Sequence, residues 1–120
     1  MSAPGGLPKS RRLLRPKEFA AVMKGGRRTR DEFFTMFALT NTLAHGRIGL
    51  SVSRRASPKA VARNRIKRQA RESFRAHQRG LAGIDVVVVA HAAAAAAENR
   101  ALRDALQQHW QKLAQLCKKS

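Results

Sequence analysis

The first amphipathic segment of the chain, RPKEFAAVMKGG, has apolar residues at helical spacing. Phe19, Val22 and Met23 fall on one face of such a helix. Pro16 suits a first helical turn, and Gly25–Gly26 provides a stop at which glycine can supply positive φ. The pattern therefore predicts a short helix with one apolar face near the N-terminus.

Three further segments have the patterns of β-strands. EFFTMFALTN (residues 32–41) alternates, with Phe34 and Phe37 on opposite faces, and RIGLSVS (47–53) places its aliphatic residues on a single face. The linker between these two segments is short enough for an antiparallel hairpin, which we expect. IDVVVVA (84–90) is β-branched and apolar on both faces, and so predicts a central, covered strand.

A basic segment, ARNRIKRQARESFR (62–75), separates into two faces on a helical wheel. Its apolar face comprises Ala62, Ile66, Ala70, Ser73 and Phe74. Its polar face comprises Asn64, Lys67, Arg68, Arg71 and Arg75. Ser57 can cap the first turn and Pro58 fits the first helical position, so we predict a helix that opens at Ser57–Pro58 and ends near Gln78.

The C-terminal part predicts a last amphipathic helix. Its apolar positions are Leu102, Leu106, Trp110 and Leu113, and the alanine run before it fits a loop or a frayed helix. The fold class is α+β: a helix-backed sheet with the order helix, two or three strands, helix, strand, helix. We expect one domain over residues 11–120, preceded by a flexible arm rich in proline and glycine over residues 1–10.

Charge points to the partner of this domain. The chain of 120 residues has 25 Lys plus Arg against 7 Asp plus Glu, a net charge of +18, and nucleic acid is the leading polyanion to neutralise it. No apolar run approaches the roughly 20 residues of a membrane span, so no membrane partner is expected. Without an apolar signal-peptide core, the expected location is cytoplasmic. A lone cysteine, Cys117, suits helix packing.

The basic helix could be a disordered tail, a solvated face or a binding surface. A tail would not need its apolar row, and a solvated face normally mixes Glu with Lys because like charges at helical spacing repel. Only Glu72 interrupts the cations here, while Arg54, Arg55 and Lys59 extend them upstream. The pattern therefore favours a surface that binds nucleic-acid phosphates, which guanidinium groups contact with several donors at once.

The segment KAVARNRIKRQARESFR resembles the Arg-Asn-Arg signature helix of the protein subunit of bacterial ribonuclease P. The similarity extends to RLLRPKEFAAVMKGG, GRIGLSVSRR and IDVVVVA, and so to nearly the whole chain. It implies a protein that binds a catalytic RNA and the precursor tRNA leader, supporting endonucleolytic removal of that leader by the RNA. It also implies a mixed sheet with three strands before the signature helix, a left-handed crossover, and a likeness to the second domain of a small-subunit ribosomal protein.

The resemblance implies two sets of binding residues. The signature matches at Arg63, Asn64, Arg65, Lys67, Arg68 and Arg71, and its face, with the flanking cations Arg54, Arg55, Lys59 and Arg75, is expected against the catalytic RNA. A leader-binding cleft between the first helix and the sheet would use Phe19, Met23, Phe37, Ser51 and Arg54. Some relatives have an aromatic residue at position 23 and a Tyr at position 37, whereas Met cannot stack as a flat ring does. We expect Phe34 to belong to the core, and Phe37 fits either role.

Two other classes of function stay open. A nuclease acting alone would need a catalytic constellation, and His45, His77, His91 and His109 are scattered without metal-site spacing. A ribosomal or nucleoid-like binding protein would share the charge and the aromatic residues. We expect no catalytic residue, no cofactor or metal bound by the protein alone, magnesium at the active site of the RNA, and no obligate protein partner.

Overall fold

The structure is a computed structural model and describes residues 7–118. The elements in chain order are α1 (Pro16–Gly25), β1 (Arg27–Arg30), β2 (Phe34–Thr40), β3 (Arg47–Ser51), α2 (Ala60–Ala76), β4 (Ile84–Ala90), α3 (Ala92–Ala96) and α4 (Asn99–Lys118). Single 3-10 turns precede α1 and follow α2, at Lys9–Arg11 and Gln78–Leu81. The predicted α+β class is confirmed, and the alanine run forms the short helix α3.

The four strands form one mixed sheet in the order β1-β2-β4-β3. β4 pairs antiparallel with β2 and parallel with β3, so the expected hairpin between β2 and β3 is wrong. The hairpin lies instead between β1 and β2. β4 takes the place between β2 and β3 because it is apolar on both faces and needs cover on both, which confirms the central position predicted for it. The handedness of the β3-α2-β4 crossover stays a prediction, as does the likeness to a ribosomal protein domain.

One face of the sheet, the core face, packs against α2 and α4. Side chains of all three layers are fully or almost fully buried there: Phe34, Met36, Val86, Val88, Ile66, Phe74, Leu106 and Trp110. Trp110 meets Phe74 edge-on at 5.7 Å between ring centroids, and its indole Nε1 donates to Ser73 Oγ at 2.7 Å. Burying these large rings with their polar atom satisfied makes this face the main source of stability.

The opposite face, the α1 face, carries a smaller cluster. Leu13, Val22 and Val87 are buried, and four partly buried side chains pack around them: Phe19, Phe37, Leu39 and Val89. α1 is a helix of ten residues, so it shields only part of a four-stranded sheet. The α1 face is therefore half covered.

α1 ends at Gly25 as predicted, but the conformation of its stop and the start of α2 differ from those predicted. Gly26 has φ of −90°, and Gly83 is the one glycine with positive φ in the described range, so the expected positive φ at Gly25–Gly26 is wrong. Gly26 serves close approach instead, because a Cβ there would lie 2.5 Å from Val22 O and 2.6 Å from Ala38 O. α2 begins at Ala60, later than predicted, because Ser57 Oγ accepts the Lys59 amide within the preceding turn and caps no helix.

The predicted N-terminal arm falls mostly outside the described residues. At its end, Leu7 is buried against the main core, and the turn Lys9–Arg11 follows. Leu13 N then donates to Ile48 O at 2.9 Å, so the chain is fastened to the edge of β3 before α1 begins. The flexibility of residues 1–6 stays a prediction.

Candidate nucleic-acid interface

The first candidate surface is the basic face of α2, which we define by Asn64, Lys67, Arg68, Arg71 and Arg75. Behind it, Ile66, Ala70 and Phe74 have 0% of their surface exposed, which confirms the predicted apolar row. Gln69 is also buried on that side, at 7% exposed, although the helical wheel does not place it on the apolar face. Asn64, Arg68 and Arg75 are exposed, while Lys67 and Arg71 are half-buried. The helix is therefore anchored with its cations outward.

Acidic neighbours do little to neutralise this face. In the described part of the chain, its one ion pair joins Arg68 Nε to Glu72 Oε1 at 3.8 Å, with side chains 71% and 42% exposed. An exposed pair at that distance is screened by water and contributes little. Within the described residues, the charge of the basic face is therefore largely unneutralised.

Two signature arginines have partners within the protein. Arg63 Nη1 donates to Ser57 O at 2.9 Å, which holds the turn before α2. Arg65 Nη1 donates to Asn99 Oδ1 at 2.8 Å, and its Nη2 donates to Ala95 O at 3.0 Å. Carbonyls at a helix end lack intrahelical partners, so Arg65 joins the end of α3 to the start of α4. The wheel missed this role because the partners lie far along the chain.

The cations upstream of α2 extend the basic face. Arg54, Arg55 and Lys59 are all exposed and lie between the end of β3 and the first turn of α2. They place positive charge in the segment that joins the edge strand β3 to α2. Arg54, which belongs to both predicted surfaces, therefore lies in sequence between Ser51 of the predicted cleft and the basic face of α2.

The second candidate surface lies on the α1 face of the sheet. Strand pairing sets Phe37, Val87 and Gly49 side by side, and the next row is Thr35, Val89 and Ser51. Phe19 of α1 rests on the first row, because a Cβ at Gly49 would lie only 2.6 Å from Phe19 Cζ. We call the partly covered surface formed by Phe19, Phe37, Thr35 and Ser51 the sheet groove.

The predicted cleft residues are placed as follows. Phe19, Phe37 and Ser51 are half-buried in the sheet groove, and Met23 is 43% exposed on α1. Phe34 is fully buried on the core face, as predicted. Phe37, which fitted either role, keeps part of its ring accessible while packing against the small cluster. Leader binding by these residues stays a prediction.

An ionic network fixes α1 over the sheet groove. Arg47 of β3 reaches Asp85 through Nε at 2.9 Å and Nη2 at 2.6 Å, and reaches Glu18 Oε2 through Nη1 at 2.9 Å. Glu18 Oε1 also accepts the amides of Leu14 and Arg15, both at 3.2 Å. The hydrogen bond from the Arg15 backbone is the main cause that lowers the pKa of Glu18, and Arg47 adds to it. The hydrogen bond to Asp85 raises the pKa of Arg47.

Sequence reasoning missed this network, although one signal was present. Asp85 is a lone acid in an otherwise apolar strand, and it is only 7% exposed. A buried carboxylate requires a partner, and Arg47 lies directly opposite it in the β3–β4 register. The network therefore joins α1, β3 and β4 at one end of the sheet groove.

The histidines have separate partners. His45 and His77 contact the backbone oxygens of Ser10 and Ser73, and His91 Nε2 lies 2.7 Å from Thr35 Oγ1 in the sheet groove. His109 is buried at 3% exposed with Nδ1 2.7 Å from Thr29 Oγ1, and burial lowers its pKa although Asp31 opposes this. Within residues 7–118, no cluster of His, Cys, Asp and Glu is suited to hold a metal ion.

These features define a class of protein: a small basic α+β protein with a mixed sheet, a cationic helix on one side and a half-covered aromatic groove on the other. No helix in the described part is long and apolar enough to cross a membrane. A family model named Ribonuclease P matches residues 7–114. The chain belongs to the ribonuclease P protein family.

Relatives and solved structures agree with this assignment. The chain is 46% identical over 112 residues to the ribonuclease P protein component of Methylococcus capsulatus, covering 93% of this chain and 88% of that protein. The RNase P protein of Staphylococcus aureus superposes with a TM-score of 0.79 at 29% identity, covering 88% of this chain and 96% of that one. The RNase P protein of Thermotoga maritima gives a TM-score of 0.74 at 27% identity, covering 84% and 96%.

Proposed function

We propose that the protein is the RNA-binding subunit of ribonuclease P: it binds the catalytic RNA through the basic face of α2 and the precursor tRNA leader through the sheet groove. The RNA then carries out the phosphodiester hydrolysis that removes the leader in tRNA 5′ maturation. The observation that carries this proposal is the presence of two unlike surfaces on opposite sides of one sheet: the cationic outer side of α2, which packs on the core face, and the aromatic sheet groove on the α1 face.

The chemistry of each surface fits its proposed partner. Planar guanidinium groups contact phosphates with several donors, and Asn64 adds a donor and an acceptor without charge. Such contacts position RNA and do not read its sequence. In the sheet groove, Phe19 and Phe37 would stack on unpaired bases with little sequence preference, as a leader of variable sequence requires. Magnesium would be held at the active site of the RNA.

The test of this proposal is leader removal from precursor tRNA at low magnesium, with the catalytic RNA alone and with the protein added. We expect strong stimulation by the protein and no cleavage by the protein alone. Cleavage by rigorously RNA-free protein, abolished by changing one of the four histidines, would show a nuclease acting alone. Absence of stimulation would contradict the proposal.

A second measurement separates RNA contacts from structural contacts on α2. Lys67→Ala with Arg71→Ala should weaken binding of the catalytic RNA and flatten its salt dependence, because each lost phosphate contact removes about one unit of the salt slope. Arg65→Ala is the comparison for a structural contact: its hydrogen bonds to Asn99 and Ala95 predict a lower melting temperature, which the double variant should not show. An unchanged slope in the double variant would contradict the assignment of the basic face.

A nucleic-acid-binding protein with no catalytic partner is the remaining alternative. It would share the charge of +18 and both surfaces, so binding alone cannot distinguish it. Competition between the structured RNA and duplex DNA distinguishes this alternative from the ribonuclease P role. Selectivity for one structured RNA supports the ribonuclease P role, and equal affinity for duplex DNA opposes it.

A further inference from the structure

The edge strand β1 carries arginines that neither the sequence analysis nor the two surfaces above include. Its sequence, RRTR, places Arg27, Arg28 and Arg30 on a four-residue strand that pairs only with β2 in the described sheet. All three arginines are exposed. Hydropathy could not identify this strand, because it contains no apolar residue.

The register of the hairpin assigns each arginine to a face of the sheet. Arg28 lies opposite Phe37 and Arg30 lies opposite Thr35, so both share the α1 face with the sheet groove. Thr29 points the other way, since its hydroxyl contacts His109 of α4 at 2.7 Å. Arg27 shares that core side. Because Thr29 is held by α4, the alternation of the strand fixes the direction of Arg28 and Arg30.

No side-chain hydrogen bond or ion pair within the described residues engages the guanidinium group of Arg28 or Arg30. The row Arg30, Thr35, Val89, Ser51 runs across all four strands, and Arg54 follows shortly after β3. The row spans about 14 Å, three strand spacings of about 4.8 Å each. The sheet groove therefore has Arg28 and Arg30 along its β1 edge and an aromatic and hydroxyl floor beside them, and Arg54 comes three residues after Ser51 of its β3 edge.

We propose that Arg28 and Arg30 bind phosphates of single-stranded RNA that crosses the sheet groove from the β3 edge to the β1 edge. An accessible aromatic floor beside cations suits unpaired bases whose phosphate backbone those cations hold. The inference rests on the proposed function and deepens it. In this arrangement, β1 contacts the leader nucleotides farther from the cleavage site, after the RNA has passed Phe37.

The test uses the holoenzyme assembled from this chain and the catalytic RNA. It measures binding of precursor tRNAs whose leaders are shortened stepwise from the 5′ end, together with mature tRNA. The variant Arg28→Ala with Arg30→Ala is compared with Arg27→Ala with Arg103→Ala, which removes the same charge from the α4 side. Thermal melts of both variants verify that they fold.

We expect the Arg28 and Arg30 variant to bind long-leader precursor roughly three- to ten-fold more weakly, with a salt slope shallower by about 0.7 per lost contact. Short-leader precursor and mature tRNA should bind as to the parent protein. The control variant should match the parent with every substrate. A loss that appears only beyond a certain leader length would locate the β1 contact along the strand.

Three results would overturn the inference. Unchanged binding of long leaders by the Arg28 and Arg30 variant would overturn it. New self-association of that variant would then indicate that these arginines protect the sheet edge from pairing. An equal loss with mature tRNA, or with the catalytic RNA alone, would place the contact on folded RNA. If the parent holoenzyme itself binds precursor and mature tRNA alike, the proposed leader binding fails as well. Discrimination by the parent with an unchanged variant overturns only the role of β1.

Discussion

The two faces of the sheet are buried to different extents. On the core face, Phe34 of the sheet and Phe74 and Trp110 of the two long helices are buried against one another to 2% exposure or less. On the α1 face, one helix of ten residues covers a cluster with three buried members, and the aromatic rings Phe19 and Phe37 stay half-buried. Phe34 and Phe37, three positions apart on β2, thus have unlike surroundings.

This difference shows how one small sheet can supply stability on one face and leave aromatic surface accessible on the other. Complete burial of large side chains on the core face supplies most of the hydrophobic stabilisation. The α1 face can then leave apolar surface exposed, because two ion pairs hold the start of α1: Arg47 of β3 joins Glu18 of α1 to Asp85 of β4. Aromatic surface that remains accessible beside unpaired cations suits a ligand with bases and phosphates.

The largest expected effect comes from breaking the core face. Phe34→Ala should lower the free energy of unfolding by about 3–5 kcal/mol, the usual cost of emptying a packed aromatic site. Phe37→Ala should cost clearly less, because its ring is half-buried. Chemical denaturation of both variants measures the difference. Equal losses would mean that the two faces contribute alike to stability.

A smaller loss should follow from releasing α1. Arg47→Ala leaves Asp85, only 7% exposed, without its two charged hydrogen bonds, and should cost about 1–3 kcal/mol because the arginine is partly exposed. Glu18→Gln is the milder control, since it keeps the amide contacts of α1 within reach. If Arg47→Ala melts like the parent, the network does not hold α1.

The pH dependence of stability sharpens the comparison further, because His109 is buried on the core side. Burial lowers its pKa in the folded state below the ordinary 6.5, so the unfolded chain binds the proton first as pH falls. Stability should therefore be full above about pH 6.5 and decrease as pH falls toward the folded pKa, then level off. Denaturation at several pH values measures this, and His109→Gln should flatten the curve. A gain in stability on acidification would mean that the contact with Asp31 outweighs burial.

Much of the fold could be predicted because its signals are local. The alternation around Phe34, the apolar run of β4 and the apolar rows of α2 and α4 each follow from the periodicity of one segment. The predicted β2–β3 hairpin is wrong because strand pairing depends on the whole sheet. β4 needs a neighbouring strand on each side, and the sequence of the linker between β2 and β3 contains no sign of this. β1 escaped notice because RRTR has no apolar residue to alternate.

The candidate site divides in the same way. The basic face of α2 could be predicted from one helix, but the second role of Arg65 depends on Asn99, which only the fold brings near. The ionic network of Arg47 and the cations of β1 beside Phe37 likewise arise from strand register. Residues that act through one helix are visible in a sequence, and residues that act through neighbouring strands require the structure.

The claim that the α1 face binds the leader while the core face only supports it is tested most directly by one measurement. This is the ratio of affinities of the holoenzyme for precursor and mature tRNA, with the parent protein and with Phe19→Ala or Phe37→Ala. The account predicts that precursor binding weakens by about 1–3 kcal/mol per stacked base while mature tRNA binding is nearly unchanged. An equal loss with both RNAs, or a melting temperature as low as that of Phe34→Ala, would contradict it.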